Sequence, residues 1–106
     1  AEAEGKIKEL NNKMAKKEYE SARIYHKMEY YLAAQKYYDN VMEIYHDTQY
    51  APLALYDKIN LLLERNRESE ALAEAQKFLS KYPQHQNYAD VEKIKSSLES
   101  KLSVNP

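Results

Sequence analysis

Histidines and carboxylates are the side chains of this chain best suited to catalysis or metal binding. The histidines are His26, His46 and His85, and none has a second histidine three or four positions away, as ligands on one helix face would. His46 stands beside Asp47, but in a turn-like segment where such residues commonly serve the backbone. Cysteine is absent, which excludes thiolate nucleophiles and cysteine metal sites. We therefore predict no metal, no cofactor and no enzyme activity.

The charge balance argues against nucleic-acid binding. Lysine plus arginine number 16 and aspartate plus glutamate 17, for a net charge of -1, so there is no basic excess to bind a phosphate backbone. No apolar run approaches the roughly 18 residues of a membrane span. The chain begins with Ala1 rather than methionine, so we interpret it as a processed or trimmed product, from which any targeting segment would be missing.

Tyrosine is unusually frequent, with eleven copies against one phenylalanine and no tryptophan. A tyrosine suits a thin helical layer because its ring can pack while its hydroxyl reaches water. The same property makes tyrosine common at protein interfaces. We expect a core role for Tyr25, Tyr31, Tyr38, Tyr45 and Tyr82, and partner contact remains the alternative for others.

The elements that must position these side chains are helices. Good helix formers dominate, there is one glycine, and no stretch alternates as a strand would. Helices are predicted at about 6–28 and 31–45, from Tyr50 to a left-handed stop at Asn66, and at about 68–82 and 88–102. The expected inward residues of the last four are Ala34, Tyr38, Val41, Leu55, Ile59, Leu62, Ala71, Ala75, Phe78, Leu79, Val91, Ile94, Leu98 and Leu102.

Two similar loops indicate an internal repeat of 37 residues. YHDTQYA begins at Tyr45 and YPQHQNYA at Tyr82, and Ala34 and Ala71 have the same separation. Helix-turn-helix units of about this length are typical of tetratricopeptide repeats. We predict one all-α domain over 1–106, a tetratricopeptide-like stack with repeat one at about 11–46, repeat two at about 50–83 and a capping helix at about 88–102. A plain helical bundle is the alternative.

The first repeat resembles a known family. Its residues match the motifs of the BamD (ComL) outer-membrane assembly lipoproteins, closest to their carboxy-terminal repeats, over about residues 13–55. The matching residues are Met14, Ala15, Glu18, Tyr19, Ala22, Tyr25, Tyr31, Ala33, Ala34, Tyr45, Asp47 and Thr48. His46 departs from the family's usual proline. The chain is less than half the family's usual length, so it is either a fragment or a reduced member.

The resemblance implies a location and a partner. Such proteins lie on the periplasmic face of the outer membrane of diderm bacteria, held by a lipidated cysteine. They bind periplasmic POTRA domains of BamA and help to insert β-barrel proteins. For this chain it implies a BamA-like partner, other assembly subunits as further candidates, and membrane contact only through a lipid anchor that the chain lacks. We expect the isolated chain to be a monomer.

The second helix suggests where a partner would bind. Beside its core stripe lies a second one with Tyr30 and Tyr37, bordered by Lys36. A core role is favoured for this second stripe, because a middle helix that touches both neighbours needs a wide apolar arc, and partner contact is the alternative. We hypothesise that the two tyrosines anchor a POTRA-type domain, that Lys36 pairs with an acidic group, and that the following loop offers hydrogen-bonding groups. The loop residues are Asp47, Thr48 and Gln49. The alternative is a generic tetratricopeptide adaptor that binds a peptide in a concave groove near Tyr19, Arg23 and Tyr56.

Overall fold

The computed structural model describes residues 2–103, which form five α-helices and, within that range, no strand. These are α1 (Glu2–Lys27), α2 (Tyr31–Ile44), α3 (Tyr50–Glu64), α4 (Glu68–Lys81) and α5 (Tyr88–Ser103). The predicted all-α fold is confirmed, and the limits of α2 to α5 agree with the sequence to within about a residue or two. The first helix begins earlier than predicted and includes Gly5, around which a side chain would meet nothing. Residues 104–106, predicted as a frayed end, lie outside the described range.

The turns between paired helices repeat in detail. Glu29 and Asn66 are 37 residues apart, and both have left-handed backbones, with φ of 65° and 59°. After each helix the chain closes with the same bond: Tyr30 N–H donates to the Tyr25 carbonyl and Arg67 N–H to the Leu62 carbonyl, both at 2.9 Å. This is the Schellman arrangement, which satisfies carbonyls that a helix end leaves unpaired.

The loops after the second helix of each pair also correspond. Tyr45 N–H donates to the Val41 carbonyl at 3.0 Å, and Tyr82 N–H donates to the Phe78 carbonyl at 2.8 Å. Three residues later, the Thr48 and His85 amides return to the carbonyls of Tyr45 and Tyr82. Both kinds of turn thus recur at 37 residues, so the helical-repeat prediction is confirmed.

Contacts divide the chain into two compact units, one ending at Ala54 and the other starting at Leu55. In the first unit α1 packs along α2. Fully buried alanines at Ala15, Ala22 and Ala34 let the two helices approach closely. Tyr38 and Val41 of α2 are buried as predicted.

In the second unit α4 packs along α5. Its core includes a cluster of Leu62, Ala71 and Leu98 with half-buried leucines and an isoleucine packed around it. Phe78 is fully buried, and the rings of Tyr82 and His85 meet it edge-on at 5.4 and 5.5 Å between centroids. Lys101 Nζ on α5 donates to Glu68 Oε1 on α4 at 2.8 Å, which ties the two helices at their exposed rim.

Periodicity predicted some burial correctly and some only in part. Tyr38 is 1% exposed, whereas the other four tyrosines predicted as core are half-buried. Half-burial suits a ring that packs and a hydroxyl that meets water. Leu79, Ile94 and Leu102, predicted to point inward, are also half-buried. Among the helices described, none has both the length and the apolar character needed to cross a bilayer.

Candidate partner-binding site

Three tyrosines meet where α1 turns into α2, and we call them the tyrosine cluster: Tyr25, Tyr30 and Tyr37. The left-handed turn at Glu29 reverses the chain and brings Tyr25 of α1 against the start of α2. The rings of Tyr25 and Tyr37 are stacked, 5.4 Å apart and 13° from parallel. Tyr30 is tilted against Tyr25 at 6.3 Å. Tyr30 and Tyr37 were predicted as partner anchors and Tyr25 as a core residue; in the structure the Tyr25 ring contacts both of the others.

The cluster has one open ring and a cation nearby in sequence. Tyr30 is 56% exposed, while Tyr25 and Tyr37 are half-buried beneath or beside it. Lys36 is exposed and precedes Tyr37 on α2. An aromatic ring held by neighbouring rings loses little side-chain freedom when a partner covers it. The cluster is therefore chemically suited to anchor an apolar group of another protein.

The loop after α2 differs from the predicted arrangement. Asp47 and Gln49 are exposed, but Thr48 is 8% exposed and its hydroxyl donates to the Tyr45 carbonyl at 2.7 Å. Thr48 therefore holds the turn instead of offering its hydroxyl outward. The loop follows the far end of α2, a helix of 14 residues that is roughly 20 Å long at 1.5 Å per residue. The predicted residues thus form two groups, one along the first half of α2 and one in the loop beyond its end.

The loop group lines a cleft with the first turns of α1. The cleft encloses about 360 Å³, and its walls are Glu4, Ile7, Lys8, Asn11, Asn12, Asp47 and Thr48. Sequence reasoning missed the contribution of α1. The length of α1 could have indicated it, because a helix of 26 residues must extend beyond the neighbouring α2 of 14 residues.

The residues proposed for the alternative face are engaged within the molecule. The Arg23 guanidinium lies 5.8 Å from the centre of the Tyr19 ring, a cation–π distance. Tyr19 also faces the rings of Tyr38 and Tyr50, at 6.3 and 5.9 Å. Arg23 is exposed and Tyr19 half-buried, so the guanidinium is the accessible part of this pair.

Tyr56 belongs to the second unit. Its hydroxyl donates to Asp90 Oδ2 at 3.2 Å, and its ring is 6.5 Å from that of Phe78. Burial raises the pKa of the Tyr56 phenol, and the hydrogen bond to the Asp90 carboxylate raises that pKa further. Because the phenol keeps its proton, the Tyr56 hydroxyl remains a hydrogen-bond donor to Asp90 on α5.

The histidines serve packing and turns. His26 Nδ1 and Tyr38 Oη are hydrogen-bonded at 2.9 Å, partly buried between α1 and α2. His85 Nδ1 accepts the Asn87 backbone N–H at 3.1 Å, while His46 is exposed. Within residues 2–103, no three histidine or carboxylate side chains converge to hold a metal ion.

Comparison with known proteins finds a match over the part of the chain that holds these sites. Residues 1–68 match a family model described as YfiO, outer membrane lipoprotein. The matched segment includes the tyrosine cluster, the loop after α2 and the alternative residues on α1 and α3. No curated protein matches the chain.

Proposed function

Since the chain belongs to the YfiO family of outer membrane lipoproteins, as its resemblance to BamD predicted, we propose that it is a subunit of the β-barrel assembly machinery. In this proposal it has no enzymatic role, lies on the periplasmic side of the outer membrane, and binds a POTRA domain of a BamA-like protein. The family is one of non-enzymatic assembly lipoproteins. The partner and its binding surface are the parts that need an experiment.

The single observation that carries the proposal is the open ring of Tyr30. An exposed aromatic supported by two others has the composition of an interface hot spot, where a few tyrosines supply most of the binding energy. Burial of Tyr38 and Val41 already provides the contact of α2 with the core. Packing within the first unit therefore does not require an aromatic side chain at Tyr30, whereas binding of a partner through this ring would require one.

Lys36 and the loop would have different roles. Lys36 is exposed, so an acidic group of the partner would act through it mainly on the association rate. Asp47 and Gln49 would join the contact only if the partner spans α2, roughly 20 Å. A globular domain of about 100 residues, with a radius of gyration of about 13 Å, is wide enough to do so.

The test is the affinity of single-residue variants for a purified POTRA domain, measured by titration calorimetry. Tyr30→Ala should weaken binding at least about tenfold, as removal of a hot-spot aromatic does. Lys36→Glu should weaken binding at low salt, with slower association in stopped-flow mixing, and leave the thermal midpoint unchanged. The control is Lys77→Glu on α4, because Lys77 is exposed, lies outside the first unit and undergoes the same charge change as Lys36→Glu. Tyr37→Ala should also weaken binding, but Tyr37 is half-buried, so its melting must be measured alongside.

The proposed surface is wrong if Tyr30→Ala and Lys36→Glu both bind like the unaltered chain. The alternative is then a tetratricopeptide adaptor that binds a peptide segment near Tyr19 and Arg23. One observation favours it: Glu18 Oε2 beside them is buried and has no hydrogen-bond partner within the described residues. Arg23→Ala should then abolish peptide binding and leave the affinity for a POTRA domain unchanged.

A further inference from the structure

The first helix exposes a second row of apolar side chains, and Met28, just after the end of the helix, extends it. We call these residues the outer stripe: Ile7, Leu10, Met14, Ile24 and Met28. Their exposed fractions are 59, 58, 44, 59 and 53%. The members recur at spacings of three and four residues or their sums, so they share one face of the helix. Several large apolar side chains exposed on one face are uncommon on a soluble surface unless something covers them.

The outer stripe is separate from the face that packs on α2. At 3.6 residues per turn, it is centred roughly 110° around the helix from Ala15 and Ala22. Those two alanines are fully buried. The contact between α1 and α2 can therefore persist while the stripe faces outward, and a ligand of the stripe need not disturb the fold.

Lysines lie along one edge of this stripe, and one of them, Lys17, interrupts it. Lys6, Lys13 and Lys17 lie within roughly 70° of its centre, and all three are exposed. Glu9 and Glu20 lie farther round the helix, and Glu9 is in an exposed ion pair with Lys13 at 3.7 Å. The chain as a whole has a net charge of -1, so this cationic border is a local feature of α1.

We propose that the outer stripe of α1 lies on an anionic lipid surface, with its apolar side chains in the interface and Lys6, Lys13 and Lys17 at the headgroups. An amphipathic helix with lysines beside an exposed apolar row binds membranes in this manner. The chain's family consists of outer membrane lipoproteins, so a bilayer is close to the protein. The family resemblance implied membrane contact only through a lipid anchor, whereas this contact would be made by the folded chain itself.

The middle of the stripe favours lipid over a partner helix. Lys17 and Ser21 occupy the two positions of the three-four spacing between Met14 and Ile24. Polar residues at consecutive seam positions weaken a helix–helix contact. At a membrane interface a lysine can lay its methylenes along the apolar surface while its ammonium group stays at the headgroups.

A single introduced tryptophan tests the contact, because the chain has none of its own. Leu10→Trp should show a blue shift of its emission when vesicles of phosphatidylethanolamine and phosphatidylglycerol are added. Leu32→Trp is the matched control, since Leu32 is exposed on α2, and its emission should not move. Equal shifts at both positions, or none at position 10, would overturn the proposal.

Charge variants test the headgroup part. Lys6→Gln with Lys17→Gln should reduce the vesicle partition coefficient about fivefold for each lysine removed. Lys77→Gln with Lys81→Gln makes the same change in net charge on exposed positions of α4 and should leave the coefficient unchanged. Binding should fall in high salt and on vesicles of phosphatidylcholine alone. If the partition coefficient changes neither when the two lysines are replaced nor when the salt concentration is raised, the proposed headgroup contact is contradicted.

Coverage of the outer stripe by something other than lipid would give a different result. If a second copy covers it, the Leu10→Trp emission shifts with protein concentration in the absence of vesicles, and the sedimentation coefficient rises with it. That outcome overturns the membrane contact and also the expected monomer. These measurements contain no partner protein, so their result is independent of POTRA binding through Tyr30.

Discussion

Small side chains decide how closely the helices of each unit approach. Ala15, Ala22 and Ala34 in the first unit, and Ala71 and Ala75 in the second, are all fully buried. Two helix axes can come close only where the residues between them are small. The tyrosines then fill the wider spaces beside these points of contact.

We predict that Ala34→Leu and Ala71→Leu each lower the free energy of unfolding by about 1–3 kcal/mol, because added methylenes have no room at a close helix contact. The measurement is urea denaturation followed by circular dichroism. Ala73→Leu is the control, since Ala73 is exposed on α4 and the larger side chain there faces water. If neither buried alanine is sensitive, the assignment of these positions as the closest contacts is wrong.

The turns are the elements with the clearest stored strain. Glu29 and Asn66 end α1 and α3 in the left-handed region. Asparagine tolerates that region better than most residues, whereas glutamate does so at a cost in free energy. The Glu29 carboxylate accepts a hydrogen bond from the Tyr31 hydroxyl at 3.5 Å on the exposed surface, a weak compensation.

We predict that Glu29→Gly stabilises the chain by about 0.5–1 kcal/mol, because glycine adopts a left-handed backbone without a Cβ clash. The control is Gln76→Gly in the exposed middle of α4, which should destabilise by a similar amount since its backbone is helical. Both values come from denaturant midpoints at equal slope. A loss of stability in Glu29→Gly would show that the glutamate side chain contributes more than the strain costs.

At the scale of the whole molecule, positive and negative charges are nearly balanced. We expect alkaline pH to lower the stability of the fold, because it removes protons from tyrosines. Burial raises the pKa of the Tyr82 phenol above its usual 10.0, and burial with the Asp90 carboxylate does the same for Tyr56. The folded chain therefore holds these two protons more tightly than the unfolded chain does. Their contribution to stability is complete below the unfolded pKa and is lost as the pH rises through the folded pKa.

We predict that stability falls above about pH 10 and that Tyr56→Phe with Tyr82→Phe reduces this fall, because phenylalanine has no proton to lose. The measurement is the denaturant midpoint at several alkaline pH values, with tyrosinate absorbance recorded in parallel. In the folded unaltered chain, part of the tyrosinate absorbance should rise at a higher pH than it does in the chain unfolded by urea. A double variant that loses stability as steeply as the unaltered chain would place the alkaline transition on other groups.

The amino-acid sequence by itself determined the helices, the turns and the repeat. Periodic apolar residues and the left-handed stop at Asn66 act over a few neighbouring residues, and their effects can be read locally. The 37-residue repeat follows from the same local signals occurring twice. The motifs of the first repeat were also sufficient to predict the family that the model match confirms.

Only the tertiary structure decided which of these faces are covered. Tyr25 stacks on Tyr37, Thr48 turns its hydroxyl into the loop, and Ile7, Leu10 and Met14 remain exposed although their spacing equals that of core residues. Periodicity shows that residues share a face, whereas burial depends on what packs there, and that is set by segments distant in sequence. The candidate sites lie on those open faces, so their accessible residues emerged only when the helices were packed.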